Sequence, residues 1–179
     1  MPSPIEAVST YFHAKDGNRP HLMRHAFAED ARLEMIVKTD AISFPATTSG
    51  LAAIEEVLVR RFAADYENVY TFGLAKPTES DRHRFSCPWL VAMSVRSDGA
   101  IRVGSGLYDW HFSSDARCLA EKLVITIDVM KVLPAKELDA IMGWASALPY
   151  PWCRPDEVLA GMPRVEGLAP VESYLKGLG

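Results

Sequence analysis

One carboxylate stands where a carboxylate is costly. In CLAEKLVITIDVMKV, residues 118–132, Glu121 shares its parity with Leu119, Leu123, Ile125, Ile127 and Val129. A carboxyl on a buried strand face rises in pKa, and such a group suits general-base work near neutral pH. A bulge near Ala120 would instead turn Glu121 to water or to an arginine. Two phenols, Tyr11 and Tyr108, are candidate hydrogen-bond donors to a ligand oxygen; as core residues they would send their hydroxyls to a rim or a backbone carbonyl. Trp110, two residues after Tyr108, shares its face and would stack on a flat ligand. Asp109 and His111 have the opposite parity and belong on the outer face of the same strand. His21 and His25 are spaced i, i+4, as metal ligands on a helix can be. Arg24 lies on the same polar face and no third ligand is close in sequence, so a solvated helix face is expected and no metal. Serines and cysteines carry no nucleophile motif, and there is no glycine-rich phosphate loop, so no nucleotide cofactor is expected.

Bulk composition limits what these residues serve. The chain has 179 residues, is 49% hydrophobic and carries a formal charge of −4. That length suits one domain with a real core, and the charge argues against nucleic acid, which needs a basic face. No apolar run reaches the length of a membrane span. Cys87, Cys118 and Cys153 are odd in number and widely spaced, which reads as free thiols in a reducing compartment; a cytoplasmic location is expected.

The elements that position the candidates follow from periodicity. Ser3, Pro4 and Glu6 open a helix with a capping-box pattern, and Ile5, Val8 and Phe12 share its face. A second helix is expected from about Pro20. ARLEMIVKT alternates as a half-buried strand with Leu33, Met35 and Val37 inward. A third helix, capped by Thr48 or Ser49, buries Leu51, Ile54, Leu58 and Phe62. From about Asn68 to Leu133 everything reads as sheet. Phe85, Cys87, Trp89, Val91, Met93 and Val95 share one parity, and Pro88 suggests an edge or a bulge. SDGA is a hairpin turn. In IRVGSGLYDWHF the apolar parity changes from Ile101 and Val103 to Tyr108, Trp110 and Phe112, which predicts a glycine bulge at 104–106. Segregated helices and a bent sheet make an α+β layer structure.

These stretches resemble the nuclear transport factor two-like superfamily, called SnoaL-like in bacteria. YFHAKDGNRPHLMRHAFAEDARLEM, SGLAAIEEVLVRRF and GSGLYDWHFSSDARCLAEKLVI carry the resemblance, which spans Pro4 to Leu133. It implies a cone: three N-terminal helices on the concave face of a curved antiparallel sheet, with an apolar pocket at one end. It also implies a homodimer meeting through the sheet, with Asp109 and His111 near the contact. Members include ketosteroid isomerase, scytalone dehydratase, polyketide cyclases and plain binding proteins, so the fold alone names no activity. Matched to ketosteroid isomerase, Tyr11 takes the place of the oxyanion tyrosine, Tyr108 that of the protonated aspartate and Met35 that of the base. The base is therefore absent from its usual strand, and Glu34 has the wrong parity to replace it.

The expectation is a pocket for a small hydrophobic or aromatic molecule, lined by Met35, Trp110, Phe12 and Leu123. If chemistry occurs, it would be a cofactor-independent isomerase, dehydratase or cyclase with Glu121 as base and Tyr11 and Tyr108 as donors. The alternative is a binding or assembly module. Residues 1–133 form the cone domain in this reading. Residues 134–179 are too apolar for a solvated tail and must pack on the domain, the pocket mouth or a dimer partner.

Overall fold

The computed structural model describes residues 2–178. Helix α1 (Pro4–Asp16) starts where the Ser3 hydroxyl accepts the Glu6 N–H at 3.4 Å. Pro20–His25 forms a 3₁₀ helix, not an α-helix. At three residues per turn, His21 and His25 no longer share a face, and both are exposed. The long third helix is α2 (Leu51–Glu55), a π-helical turn (Glu56–Arg60) and α3 (Arg61–Asp65) in succession. Its start differs from the sequence expectation. Thr47–Ser49 are a short strand, and Gly50, at φ 91°, makes the turn without a side-chain cap.

Six strands form one sheet: β1 (Phe27–Val37), β2 (Thr47–Ser49), β3 (Tyr66–Gly73), β4 (Arg84–Val95), β5 (Ile101–Phe112) and β6 (Ala120–Leu133). Their order is β2-β1-β6-β5-β4-β3. Every pair is antiparallel except β1–β6, which is parallel. Strands β3 to β6 are consecutive neighbours, which run antiparallel across short turns, whereas no hairpin dictates how β1 meets β6. Pro88 stands where β4 becomes an edge: its pairing with β3 ends at Trp89–Gly73, beyond which Leu74 N–H still donates to Pro88 O at 2.9 Å, and no bulge interrupts the register with β5 there.

The apolar parity change in β5 has a different cause from the one expected. Strand β5 runs in unbroken register against β4 from Ile101 to His111. The bulge lies across from it, in β6: Ser105 pairs Val129 and Gly106 pairs Ile127, leaving Asp128 extra. What changes along β5 is which face is covered. Tyr108, Trp110 and Phe112 bury on the concave face with α1, α2 and α3. Ile101 and Val103 bury on the convex face, in a second core with Phe72, Leu90, Ala92 and Leu133.

The C-terminal segment builds that second core. Helices α4 (Leu138–Ala147), α5 (Pro155–Gly161) and α6 (Ala169–Lys176) place Ile141, Trp144, Val158, Val171 and Leu175 on the convex face. Between α4 and α5 the chain rounds the β3 edge. Gly73 N–H donates to Pro151 O at 2.9 Å and Cys153 N–H to Gly73 O at 3.1 Å. There Trp152 packs on Phe12 and Phe85 and donates to the Ser9 hydroxyl at 3.0 Å. A Cβ on Gly73 would lie 2.4 Å from the Trp152 ring, so only glycine lets the strap approach this closely.

Candidate functional site

A cavity of about 40 Å³ lies between the concave face and α1 to α3. Its wall is apolar, with Met35, Leu58, Phe62, Val91, Ile125 and Ile127 among its residues. Tyr11, Lys15, Thr71, Trp89 and Tyr108 are the polar side chains among its lining residues. Ile42 and Phe44, from the connection between β1 and β2, close one side, and the same two residues line an outer groove with Arg61 and Tyr66. The wall is thus a single side chain thick there. The space suits a few heavy atoms, since about 10–15 Å³ of such space holds one water.

Helix α1 delivers the chemistry. Pro4, Val8, Tyr11 and Lys15 are spaced four, three and four apart, and all are buried. Tyr11 is enclosed by Phe12, Phe27, Tyr108 and Trp110, with ring centroids 5.2–6.1 Å away. Its hydroxyl is buried with no hydrogen-bond partner in standard geometry, and so is the Trp89 indole N–H. Burial pushes both the Tyr11 and Tyr108 phenols well above the usual tyrosine range, so both stay protonated as donors at any ordinary pH.

Lys15 was not anticipated. Its side chain is 8% exposed. Its Nζ donates to Thr71 Oγ1 at 2.9 Å and Asp16 Oδ1 at 3.2 Å and lies 4.1 Å from the Phe62 ring centroid. Asp16, 5% exposed, accepts from Thr71 N–H (2.7 Å), Thr71 Oγ1 (2.7 Å) and the Tyr150 hydroxyl (3.0 Å) as well. Burial lowers the lysine pKa and raises that of the aspartate, each against the attraction of the other. Both shifts favour the uncharged forms. The signal in the sequence is its register with Pro4, Val8 and Tyr11 on one apolar stripe.

The sequence candidates divide clearly. Tyr11, Tyr108 and Met35 line the cavity. Phe12, Trp110 and Leu123 are buried in the same core but stand behind the wall: Phe12 and Trp110 pack on Tyr108, and Leu123 pairs Leu33 and Trp110 across the sheet. Glu121 does not join them. His111 pairs Lys122 and Phe112 pairs Ala120, so Glu121 is the extra residue of a bulge and is exposed. The strand slips by one residue at its start, which places this carboxylate outside the apolar face. Among the described residues no carboxylate or histidine borders the cavity itself; Asp16 is linked to it through Lys15 and Thr71. Asp109 and His111 lie on the convex side, where Asp109 takes two bonds from Arg84 (3.0 and 2.9 Å), one from Ser86 (2.9 Å) and meets His111 Nε2 at 3.2 Å. Among the described residues no group of three or more His, Cys, Asp or Glu is placed to hold a metal, and no helix is long and apolar enough to cross a membrane.

This arrangement of helices on a curved sheet recurs in solved structures. A protein with a ketosteroid isomerase-like fold from Catenulispora acidiphila, in complex with trimethylamine, is 17% identical, with 69% of this chain and 85% of that one covered at a TM-score of 0.54. The fold is similar to that of proteins described as ketosteroid isomerase-like or NTF2-like. An NTF2-like protein from Burkholderia thailandensis is 14% identical over 72% of this chain and 92% of its own, at a TM-score of 0.56. A Mycobacterium tuberculosis protein in complex with estradiol-17β-hemisuccinate is 15% identical over 69% of this chain and 92% of its own, at 0.51. No family model and no curated protein matches the sequence. Against these three structures, more than a quarter of the present chain stays outside the alignment.

Proposed function

We propose that the protein binds a small apolar molecule bearing one hydrogen-bond-accepting oxygen. The observation that carries this reading is the Tyr11 hydroxyl, fully buried, with the Tyr108 hydroxyl as its polar neighbour but no hydrogen bond of standard geometry, beside an apolar cavity that Tyr108 and Lys15 also line. A buried donor left without an acceptor costs about 1–3 kcal/mol, and a ligand oxygen would recover it. Two of the similar structures hold small molecules, which supports the use of such a cavity for binding. The cavity volume favours ligands of a few heavy atoms over a steroid. Larger ones require Ile42 and Phe44 to move.

Isomerase, dehydratase or cyclase chemistry is the second reading. It needs a proton acceptor in the cavity. Glu121 is outside, and Lys15 is the one basic side chain on the wall. Binding without turnover therefore stands first.

A titration followed by NMR tests the binding reading, with short alcohols and ketones set against hydrocarbons of the same shape. The oxygenated member of each pair should bind more tightly, and Tyr11→Phe or Tyr108→Phe should remove about fivefold to tenfold of that preference, the worth of one hydrogen bond. Equal affinity for both members of each pair would overturn it.

We also propose that any homodimer uses the half of the convex face that the C-terminal helices leave open. Ile36, Thr126, Leu107 and Pro88 form one cross-strand row there, and Ile36 and Leu107 are 47% and 43% exposed. The next row holds Glu34, Val124, Asp109 and Ser86.

A further inference from the structure

The amine of Lys15 does not fit a purely structural role. A lysine that only needed its charge neutralised would reach water, as long side chains usually do. Here the stem is the fourth member of the buried α1 stripe and lines the cavity, and its nitrogen ends against Thr71 and Phe62, two residues that line the same cavity. Asp16 does not depend on it, because Thr71 and Tyr150 give that carboxyl three other donors. The groups around the nitrogen are Asp16 of α1, Phe62 of α3 and Thr71 of β3, with Tyr150 behind Asp16. Among the described residues no arginine or histidine lines this cavity.

We propose that Lys15 forms a reversible imine with a short-chain aldehyde or ketone held in the cavity. The inference rests on the binding reading above and names the class of its ligand as a carbonyl compound. The neutral amine attacks the carbonyl carbon, and the π electrons pass to oxygen. A proton moves from nitrogen to that oxygen, giving a carbinolamine. The hydroxyl then leaves with the second amine proton as water, and the nitrogen lone pair closes the C=N bond. Amine and carbonyl become imine and water, with no oxidant, reductant or cofactor consumed. Tyr11 and Tyr108 border the same cavity and remain protonated, so they are fitted to hold the oxygen while it carries negative charge. The burial that lowers the lysine pKa supplies the nucleophile. A surface lysine with a pKa near 10.4 is neutral in only about one molecule in 2,500 at pH 7.

Reductive trapping tests this in the intact wild-type chain. The protein is incubated at pH 7 with propanal and cyanoborohydride, and the modified lysines are mapped by mass spectrometry over time. The chain contains Lys15, Lys38, Lys76, Lys122, Lys131, Lys136 and Lys176, which serve as internal references for one another. Lys15 should be modified at least about tenfold faster than the others, as expected when its neutral fraction is that much larger. Prior saturation with propanol should suppress this labelling alone. Lys15→Met, checked for folding by circular dichroism, should lose the fast phase and keep the slow ones. Even labelling, or Lys15 slowest of the seven, overturns the proposal. If propanol still binds in that case, only the imine falls. If neither compound binds, the reading of the cavity falls with it.

Discussion

Removing the Asp16 carboxylate should be among the most damaging single changes near the cavity. In Asp16→Ala, Thr71 N–H and Oγ1 lose acceptors at 2.7 Å, Tyr150 loses one at 3.0 Å and Lys15 loses its counter-charge at 3.2 Å. Stranding one member of a buried ion pair costs about 3–5 kcal/mol. For a chain of this size each kcal/mol lowers Tm by roughly 2–4 °C, so a fall of about 6–20 °C is expected. The double variant Asp16→Ala, Lys15→Met should be less destabilised than the single, because no charge is left buried alone. The pH dependence adds a second signature. Lys15 in Asp16→Ala has a folded pKa below its unfolded value, since burial acts without the opposing carboxylate. Between those two values the unfolded chain binds more protons, so stability rises with pH there and stops rising near the unfolded lysine value of about 10.4. Thermal melts from pH 7 to pH 10 on the single and double variants would measure this, and the rise should vanish with Lys15→Met. A loss under about 1 kcal/mol for Asp16→Ala, or strictly additive losses in the double variant, would refute the account of this pair.

Four further outcomes follow from the packing. Gly73→Ala must displace the Trp152 ring, which the new Cβ meets at 2.4 Å; a loss of about 1–3 kcal/mol is expected, with a red shift in tryptophan emission that Trp152→Phe abolishes. Tyr174 donates to Asp128 at 2.7 Å and anchors α6, so Tyr174→Phe should cost about 1 kcal/mol for a partly solvated charged bond. Asp128 itself is pushed up by burial but held below the usual carboxylate range by Tyr174 and Lys38. Its contribution is present above the unfolded value and is lost as pH falls through the folded one, so acid melts of Asp128→Asn should lack that part of the decline. Leu107→Glu should leave the fold intact and shift any dimer seen in sedimentation towards monomer; an unchanged dimer would place the contact elsewhere.

Alternation made most of the sheet readable. Phe85 to Met93 bury on the expected face, and Tyr11, Met35 and Tyr108 reach one cavity. What periodicity could not carry is the number of covered faces. Ile101 and Val103 are apolar because the C-terminal helices lie on them, whereas Tyr108 and Trp110 are apolar because α1 does. A strict alternation read as one core therefore required a bulge in β5, and the actual bulge sits in β6. Glu121 shows the same limit at the scale of one residue, since a single extra residue reverses a side chain and leaves composition unchanged. Lys15 was hidden for a different reason. A lysine in the last turn of a helix is ordinarily placed there by the helix dipole, and only its register with Pro4, Val8 and Tyr11 separates the two cases.

The second core has a consequence in terms of mass action. Ile141, Trp144, Val158, Val171 and Leu175 cover convex-face residues that another copy of the chain could also have covered. A cover supplied by a partner is present only in the fraction of molecules that the concentration and Kd allow. One supplied by the same chain acts at an effective concentration set by its own length, and the entropic cost of closing that loop grows only logarithmically. Burial of Leu90, Ala92, Ile101 and Val103 is therefore independent of dilution. Any assembly through the open half of the sheet can then be gained or lost without exposing this half to water.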